Sequence, residues 1–401
     1  MSTCFDLCAL REKVDAVYEE VVALRRHIHM HPELSGQEQE TMGFISRYLT
    51  GLGIPHQTGV GGHGIVALIG DPNAAFAVGI RADMDALPIQ EENQLPYASA
   101  VPGVMHACGH DVHTAALMGT ARVLKEMEGS LKGAVKLFFQ PAEEKGGGAR
   151  QMIEAGCMED PPVRRVLGFH VDPAHPTGHI ELFPAQSSAS STGLTITVRG
   201  SSSHGSRPDL GVDAILAAAH VLTALQNVVS RQIMPLKPVV VTIGTIHGGT
   251  RGNVVAGEVQ MTGTIRTLDL KTRDEVKERI RQVAQAAAAV CGATAEVEAR
   301  DGYPPLVNDE KTVMVLKDLA EQAFGPEQVS VRDQPSLGGE DFAYFASAVP
   351  SAFFRLGIRG RDTGHPQMLH NGWLCPDENA MKNGILLEVM GALTFLEEES
   401  R

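Results

Sequence analysis

One eight-residue segment concentrates groups that bind transition metals. The segment HACGHDVH, residues 106–113, contains one thiol, three imidazoles and one carboxylate. Thiolate and imidazole are donors that zinc and related ions favour, and Gly109 lets the side chains of Cys108 and His110 approach one ion. The alternative is that the histidines cap the helix predicted to follow them, but one histidine would be enough for that role. The segment therefore predicts a metal site.

Two adjacent carboxylates follow a buried strand predicted at 134–139. Glu143 and Glu144 stand between this strand and a run of glycines. Neighbouring acids do not readily bind one ion through the same face, so one could ligate a metal while the other accepts a proton from the attacking water. Metal-assisted hydrolysis needs that combination of Lewis acid and general base. Taken alone, such a pair is more often an exposed turn, but its position in a chain with a ligand cluster favours catalysis.

Further candidate donors lie where predicted strands end. Asp83 and Asp85 follow the strand FAVGI, and their spacing places them on one face if the strand continues. His170 ends a second predicted strand, and His370 lies in the segment LHNGW near the C-terminus. A single histidine is more often structural, but ligands of open α/β sheets bind beyond the carboxyl ends of the strands. His170 and His370 are therefore candidates for third and fourth donors.

A second group of polar residues lies in predicted turns and strand ends of the region 190–301. His204 follows a strand and precedes a helix, Asn253 lies in a glycine-rich turn, and Arg266 ends the strand TGTIR. Imidazole, amide and guanidinium donors suit a carboxylate or an oxyanion. Locally, turn chemistry and an exposed strand charge explain these residues better than a binding site does.

The spacing of apolar residues outside this region predicts alternating strands and helices. Apolar runs at 64–69, 76–80, 134–139 and 163–169 are typical of buried strands, and a helix is predicted from the histidine-rich segment to about Lys125. This alternation favours an α/β fold with a mixed, mainly parallel sheet.

Helices are predicted at both ends of the chain. Helical spacing from Asp6 to Leu52 is interrupted at His31-Pro32, and Ser35 and Glu38 match the capping-box pattern that would start a second helix. The C-terminal helix is predicted at 381–398.

Residues 190–301 show a different order of elements. Their pattern predicts strand, helix, strand, strand, helix and strand, which is the split βαβ arrangement of a small open-faced sandwich. We therefore predict a discontinuous catalytic, metal-binding domain formed by residues 1–189 and 302–401, with an inserted domain at 190–301.

Composition excludes several other classes of function. The 48 acidic residues outnumber 34 basic ones, giving a net charge of -14, so nucleic acid and anionic membranes are disfavoured as partners. No apolar run is long enough to span a bilayer. The N-terminus lacks the pattern of a signal peptide, and the six cysteines form no paired motif. These features predict a cytoplasmic protein with reduced thiols.

Several motifs in order along the chain resemble those of one family of enzymes. They are RRHIHMHPELSGQEQET at 25–41, GIRADMDALPI at 79–89, MHACGHDVHTAALMG at 105–119, FFQPAEEKGGGA at 138–149, SHGSRPDLGVDAI at 203–215, GTIRT at 263–267, GGEDFAYF at 338–345 and LHNG at 369–372. The chain resembles the metal-dependent N-acyl-amino-acid amidohydrolases. This family includes hippurate hydrolase, hydrolases of auxin–amino acid conjugates and N-acetyldiaminopimelate deacetylase.

The resemblance implies a fold and a set of roles. It implies a zinc-peptidase-like catalytic domain, and a lid and dimerisation role for the inserted domain, giving a homodimer. It also implies two divalent metal ions per subunit, zinc or manganese in the first place and otherwise nickel or cobalt. The implied metal ligands are Cys108, His110, Glu144, His170 and His370. Glu143 would be the general base and Asp85 would orient a ligand. His204 would stabilise the oxyanion, with Asn253 and Arg266 holding the substrate carboxylate.

The implied activity is hydrolysis of the amide bond of an N-acyl amino acid, which releases a carboxylate and a free amino acid. An aminobenzoyl-glutamate hydrolase, a diaminopimelate deacetylase or a dipeptidase on the same scaffold is the first alternative. A non-catalytic metal- or ligand-binding protein is the second, but such a protein would have no need of Glu143 beside an intact ligand set.

Overall fold

The computed structural model describes residues 5–360 and 364–400, so the outermost residues of the predicted catalytic domain lie outside it. The chain divides into two compact units. The large unit comprises Met1–Ser187, Val307–Gln334 and Asp341–Arg401, and the small unit comprises Ser188–Leu306 and Pro335–Glu340. None of the described helices is both long and apolar enough to cross a membrane.

The elements alternate along the chain. The strands are β1 (His56–Val60), β2 (Gly64–Gly70), β3 (Ala77–Asp83), β4 (Ala134–Gln140), β5 (Val163–Pro176), β6 (Ile180–Leu182), β7 (Gln186–Ser188), β8 (Ser190–Arg199), β9 (Ser203–His204), β10 (Val239–Gly248), β11 (Val254–Val255), β12 (Glu258–Thr267), β13 (Thr294–Asp301), β14 (Leu306–Val307), β15 (Val329–Val331) and β16 (Ser351–Arg359). The helices are α1 (Leu7–Met30), α2 (Gln39–Gly51), α3 (His110–Glu126), α4 (Gly148–Glu154), α5 (Ala214–Asn227), α6 (Leu270–Val290), α7 (Glu310–Phe324), α8 (Ala343–Ala348) and α9 (Ala380–Glu399).

The large unit is built around an eight-stranded sheet in the order β1-β2-β4-β3-β5-β16-β6-β15. Strands β4, β3, β5 and β16 run parallel to one another, and β6 pairs parallel with β15. The pairs β1–β2, β2–β4 and β16–β6 are antiparallel. The prediction of a mixed, mainly parallel α/β sheet is thus confirmed.

The central strands carry their apolar runs because both of their faces are covered. Every residue of β3 and β4 is buried, and α3 and α9 pack against β3. Strands enclosed in this way read as near-continuous apolar segments. The chemistry-bearing residues therefore follow directly from the ends of rigid, buried strands.

The segment before α2 differs from its prediction. Glu38 occupies the N-cap position of α2 without a side-chain capping bond, and the hydroxyl of Ser35 donates to Asp85 Oδ2 at 2.6 Å. The capping-box prediction was wrong, because the carboxylate of Asp85 takes the hydroxyl that would otherwise cap the helix. Strand β5 also continues past His170 to Pro176, because its pairing with β16 extends that far.

The small unit has its own sheet and core. Its four-stranded sheet has the order β10-β12-β8-β13 and is antiparallel throughout. Along the chain the main elements are β8, α5, β10, β12, α6 and β13, with the two-residue strands β9 and β11 forming a separate ribbon. Apolar side chains of α5, α6 and the sheet form one buried cluster. The role of this unit as a lid stays a prediction.

Candidate metal centre

The thiol and first imidazole of the centre are placed by a sharp turn into α3. Cys108 precedes this helix and His110 is its first residue, with Gly109 between them at φ 80°. A side chain at Gly109 would bring its Cβ to 2.5 Å from Val171 Cγ2, so the close approach of this turn to β5 requires glycine. The turn therefore lies against Val171, the residue that follows His170 on β5.

The other predicted ligands come from distant parts of the large unit. His170 lies on β5, Glu144 follows β4, and His370 lies in the loop before α9. The backbone N–H of His370 donates to the carbonyl of Ala107 at 2.7 Å, which anchors that loop beside Cys108.

These donors form two groups that share the thiol. Ligand atoms of Cys108, His110 and His170 all lie within 4.8 Å of one another, and so do those of Cys108, Glu144 and His370. Cys108 Sγ lies 3.3 Å from His170 Nε2, and His370 Nε2 lies 3.1 Å from Glu144 Oε1. These five side chains would hold two divalent ions, with the thiol of Cys108 within reach of both donor groups.

The tautomers of two imidazoles follow from their hydrogen bonds. Nδ1 of His170 lies 2.7 Å from the carbonyl of Val171, and Nδ1 of His110 lies 2.9 Å from the carbonyl of Asp85. A carbonyl oxygen only accepts, so both Nδ1 atoms carry protons and both Nε2 atoms can present a lone pair when these rings are neutral. Nε2 of His110 is buried and makes no hydrogen bond within the described residues. Metal-binding histidines are typically held in this way through the other ring nitrogen.

The electrostatics of these donors fit a divalent cation. Burial raises the pKa of the Cys108 thiol, and burial lowers the pKa of His170. Burial also opposes protonation of His110, but the charges of Asp83 and Cys108 outweigh it and raise the pKa of His110. A bound cation would stabilise the thiolate and displace the proton from His110.

His113 is excluded as a ligand although it belongs to the same motif. Its Nδ1 lies 2.6 Å from Asp83 Oδ1, and its Nε2 accepts the backbone N–H of Val171 at 2.9 Å. Both nitrogens are therefore occupied, and burial lowers the pKa of His113, which keeps the ring neutral. Asp83 also forms an ion pair with Arg81 at 2.8 Å. The sequence assigns no separate role to Asp83 or His113, and only the i, i+3 spacing of His110 and His113 indicates that both lie on one face of the helix.

Asp85 is the hydrogen-bond centre of the site. Its Oδ1 lies 3.2 Å from His110 Nδ1 and accepts the N–H of Glu143 at 3.1 Å. Its Oδ2 accepts the N–H of Glu144 at 3.0 Å and the hydroxyl of Ser35 at 2.6 Å. Burial alone would raise the pKa of Asp85, but the hydrogen bond from His110 and its charge lower it. One ionised carboxylate thus holds a metal-type ligand and both glutamates. Because β3 ends at Asp83, the two aspartates do not continue one strand face.

Glu143 is 7% exposed and belongs to a group with His110 and Glu144 whose ligand-type atoms lie within 4.8 Å. Its Oε1 accepts the N–H of Asp341 at 3.4 Å. The Asp341 carboxylate in turn accepts from Arg81 at 2.8 Å and from Gln140 at 2.9 Å. The motif at 338–345 contributed to the resemblance, but the link from Asp341 to Glu143 is visible only in the structure.

The three remaining predicted site residues lie in the small unit. His204 and Asn253 are exposed and adjacent, since β9 pairs with β11 and the N–H of Gly205 donates to the carbonyl of Asn253 at 2.8 Å. Nδ1 of His204 lies 2.8 Å from the hydroxyl of Ser206. Arg266 lies on β12, and its partial burial lowers its pKa. Their roles toward a substrate stay predictions.

Comparison with known proteins identifies the family. Residues 79–388 match the model of peptidase family M20/M25/M40. The chain belongs to this family. It is therefore a hydrolase of the M20 family, and the resemblance drawn from its motifs is confirmed.

Individual M20 relatives match over nearly the whole chain. The chain is 39% identical to an N-acetyl-L-cysteine deacetylase of Bacillus subtilis over 368 residues, covering 90% of this chain and 87% of the relative. It is 37% identical to thermostable carboxypeptidase 1 of Saccharolobus solfataricus over 391 residues, covering 96% and 98%. A solved dinuclear metal-binding peptidase of Bacillus subtilis superposes with a TM-score of 0.83 at 34% identity, covering 96% and 99%. The family and scaffold are thus shared, while the named substrates differ.

Proposed function

We propose that this protein hydrolyses the amide bond of N-acyl amino acids with two divalent metal ions bound at the large unit. The observation that carries the proposal is the position of Cys108 in two donor groups, beside the buried carboxylate of Glu143, which is placed to act as a base. The solved relative described as a dinuclear metal-binding peptidase supports the two ions. The relative described as an N-acetyl-L-cysteine deacetylase supports the class of substrate.

The proposed division of roles follows from the contacts of each residue. The metal ligands are Cys108, His110, Glu144, His170 and His370. Bound ions would supply Lewis acidity and lower the pKa of the attacking water. Glu143, whose N–H is held by Asp85, accepts the proton of that water and returns it to the leaving nitrogen.

The small unit supplies the proposed contacts to substrate. The imidazole of His204 stabilises the negative charge that develops on the carbonyl oxygen, as preorganised donors do in other acyl transfers. Arg266 and Asn253 hold the substrate carboxylate. Guanidinium is suited to this task because it presents a planar pair of donors. No ion pair ties Arg266 to a carboxylate among the described residues, so its charge is available for a substrate.

The metal is proposed to be zinc, with manganese as the first alternative and nickel or cobalt as further ones. A thiolate ligand favours zinc, since manganese prefers harder oxygen donors. The relative described as a carboxypeptidase keeps a peptide substrate as the second candidate function. An aminobenzoyl-glutamate hydrolase is a narrower version of the same chemistry.

One experiment tests these statements together. The purified protein is analysed for metal content and then assayed against benzoyl-, acetyl-, long-acyl- and indoleacetyl-amino acids beside dipeptides and aminobenzoyl-glutamate. We expect two ions per chain and release of a free amino acid from N-acyl substrates. Preferred cleavage of dipeptides would favour the second candidate. No hydrolysis of any substrate by fully metallated protein would contradict the proposal.

We also propose a homodimer formed through the small unit. Strand β10 is an outer strand of its sheet, and an uncovered edge can pair with another chain. Ile246 on β10 and Ile215 on α5 are 51% and 52% exposed. Ile246→Glu is expected to give monomers by analytical ultracentrifugation, whereas Val290→Glu, at an exposed position of α6, is the matched control.

A cytoplasmic location stays a prediction, and the five described cysteines are free of disulfides.

A further inference from the structure

The segment between α1 and α2 contacts the loop that carries both glutamates. Glu38 is the N-cap residue of α2, but its side chain makes no capping hydrogen bond to that helix. The hydroxyl of Ser35 donates to Asp85 Oδ2, the same oxygen that accepts the N–H of Glu144. Ser35 therefore restrains the carboxylate of Asp85 on the side opposite its contacts with His110 and Glu143, which use Oδ1.

Glu38 contacts the same loop one residue earlier. Its Oε1 accepts the N–H of Ala142 at 2.9 Å and the N–H of Gly36 at 2.8 Å. Ala142 has φ 55°, a left-handed backbone conformation that residues other than glycine seldom adopt. Such a conformation is strained and persists only where surrounding contacts enforce it. The bond from Ala142 to Glu38 is one of those contacts, and the bond from Gly148 N–H to the carbonyl of Ala142 is another.

The burial of Glu38 is costly in itself. The residue is 0% exposed, its Oε2 has no hydrogen-bond partner among the described residues, and no cation is among the groups that shift its pKa. Burial raises the pKa of Glu38, and the negative charge of Asp85 raises it further. Backbone N–H groups that donate to the carboxylate, including those of Gly36 and Ala142, oppose this shift. A buried carboxyl without a counterion weakens the folded state. Its position against Ala142 therefore suggests a task other than stability.

We propose that Ser35 and Glu38 are positioning residues that fix the backbone of residues 142–144 and thereby aim Glu143 at the reacting atoms. The inference rests on the proposed function for its catalytic consequence. Glu38 accepts the N–H of Ala142 and so fixes the peptide immediately before Glu143. Ser35 fixes the carboxylate of Asp85, which accepts the N–H groups of Glu143 and Glu144. A displacement of about 1 Å in a catalytic group can reduce turnover by about 100-fold.

The test uses alanine variants at each position in the fully metallated enzyme. Ser35→Ala and Glu38→Ala are expected to lower kcat by about 10- to 100-fold while KM changes by less than about threefold. Hydrogen exchange of the metal-free protein is the second readout, and it should increase in the peptide covering 140–149. Ser35→Thr and Glu38→Gln keep a hydroxyl and an oxygen acceptor, so they should restore most of both readouts.

Ser46→Ala is the matched control, because Ser46 lies on α2 and its hydroxyl lies 2.8 Å from Nε2 of His56 rather than against the loop of the two glutamates. It should change neither kcat nor exchange at 140–149. Unchanged exchange at 140–149 in Ser35→Ala would overturn the inference, and so would conservative variants as impaired as the alanine ones. If Glu38→Ala does not fold, Ser35→Ala decides alone. If the wild-type enzyme cleaves no N-acyl amino acid, the proposed function fails, and the exchange experiment still tests the positioning role.

Discussion

Sγ of Cys108 lies 3.3 Å from Nε2 of His170, although 62 residues separate them along the chain. The contact joins the turn before α3 to strand β5 at the sheet. Because Nδ1 of His170 is held by a backbone carbonyl, its Nε2 faces the thiol with a lone pair. A thiol and an imidazole held in this way form the core of the proposed metal centre.

Removal of the thiol tests that centre. Cys108→Ala is expected to reduce bound metal from two ions to fewer than one per chain, because Cys108 belongs to both donor groups. Cys157→Ala is the control, since Cys157 is also buried and burial raises its pKa to about 12. Metal analysis after dialysis measures both variants. Retention of two tightly bound ions by Cys108→Ala would exclude the shared thiolate.

Metal removal should abolish activity without unfolding the protein. The large unit has an extensive apolar core, so circular dichroism of the chelated protein should remain native. We expect activity to return on addition of zinc or manganese. The ion that gives the highest kcat once its binding has reached equilibrium identifies the working metal. Full activity at a metal content near zero would contradict the proposed chemistry.

Replacement of the general base should separate catalysis from metal binding. Glu143→Gln keeps the size and backbone contacts of the residue but cannot accept a proton. We expect kcat to fall by about 100- to 10,000-fold with metal content unchanged. Glu154→Gln is the control, because Glu154 is an exposed residue of α4 that pairs with Arg150. Normal turnover by Glu143→Gln would remove this residue from its role.

His204→Ala tests the contribution of the small unit to the transition state. Loss of an oxyanion donor typically lowers kcat by about 100- to 1,000-fold. We expect metal content to be unaffected, since the two donor groups that contain Cys108 do not include His204. His220→Ala, at an exposed position of α5, provides the comparison. Steady-state kinetics in which the two variants behave alike would argue against the role.

A buried carboxyl far from this chemistry predicts a dependence of stability on pH. Glu388 is 1% exposed, accepts the hydroxyl of Thr120 at 2.6 Å, and burial raises its pKa to about 8. The folded state therefore keeps a proton that the unfolded chain loses above its ordinary pKa of about 4.3. Stability should fall by up to about 1.4 kcal/mol per pH unit from this group between those two pKa values, and no further above the higher one.

Glu388→Gln removes this titration. The variant should gain stability relative to the wild type as pH rises from 5 to about 8, as measured by urea unfolding at several pH values. The difference should be smallest at pH 5, where both side chains are neutral in the folded state. Parallel stability curves for the two proteins would show that Glu388 does not hold the proton.

Local sequence was sufficient for much of the fold. The apolar runs predicted strands close to β2, β3 and β4. Every residue of β3 and β4 is buried, and strands enclosed on both faces are rich in apolar residues. The helix predicted after the histidine-rich segment is α3, whose bounds are His110–Glu126. The capping box at Ser35 failed because that hydroxyl has a competing acceptor, Asp85, which is 50 residues away in the chain.

The types and spacing of donors near Cys108, and the pair Glu143-Glu144, pointed to metal-assisted hydrolysis without any coordinates, because few other chemistries use those groups together. Tertiary structure decided which nitrogens are available. Hydrogen bonds occupy both nitrogens of His113, whereas Nε2 of His110 is buried without a hydrogen-bond partner among the described residues. The carboxylate of Asp85 accepts hydrogen bonds from four donors. Hydrogen bonds between segments far apart in sequence depend on where the sheet brings those segments together. Local pattern carries no information about such distances.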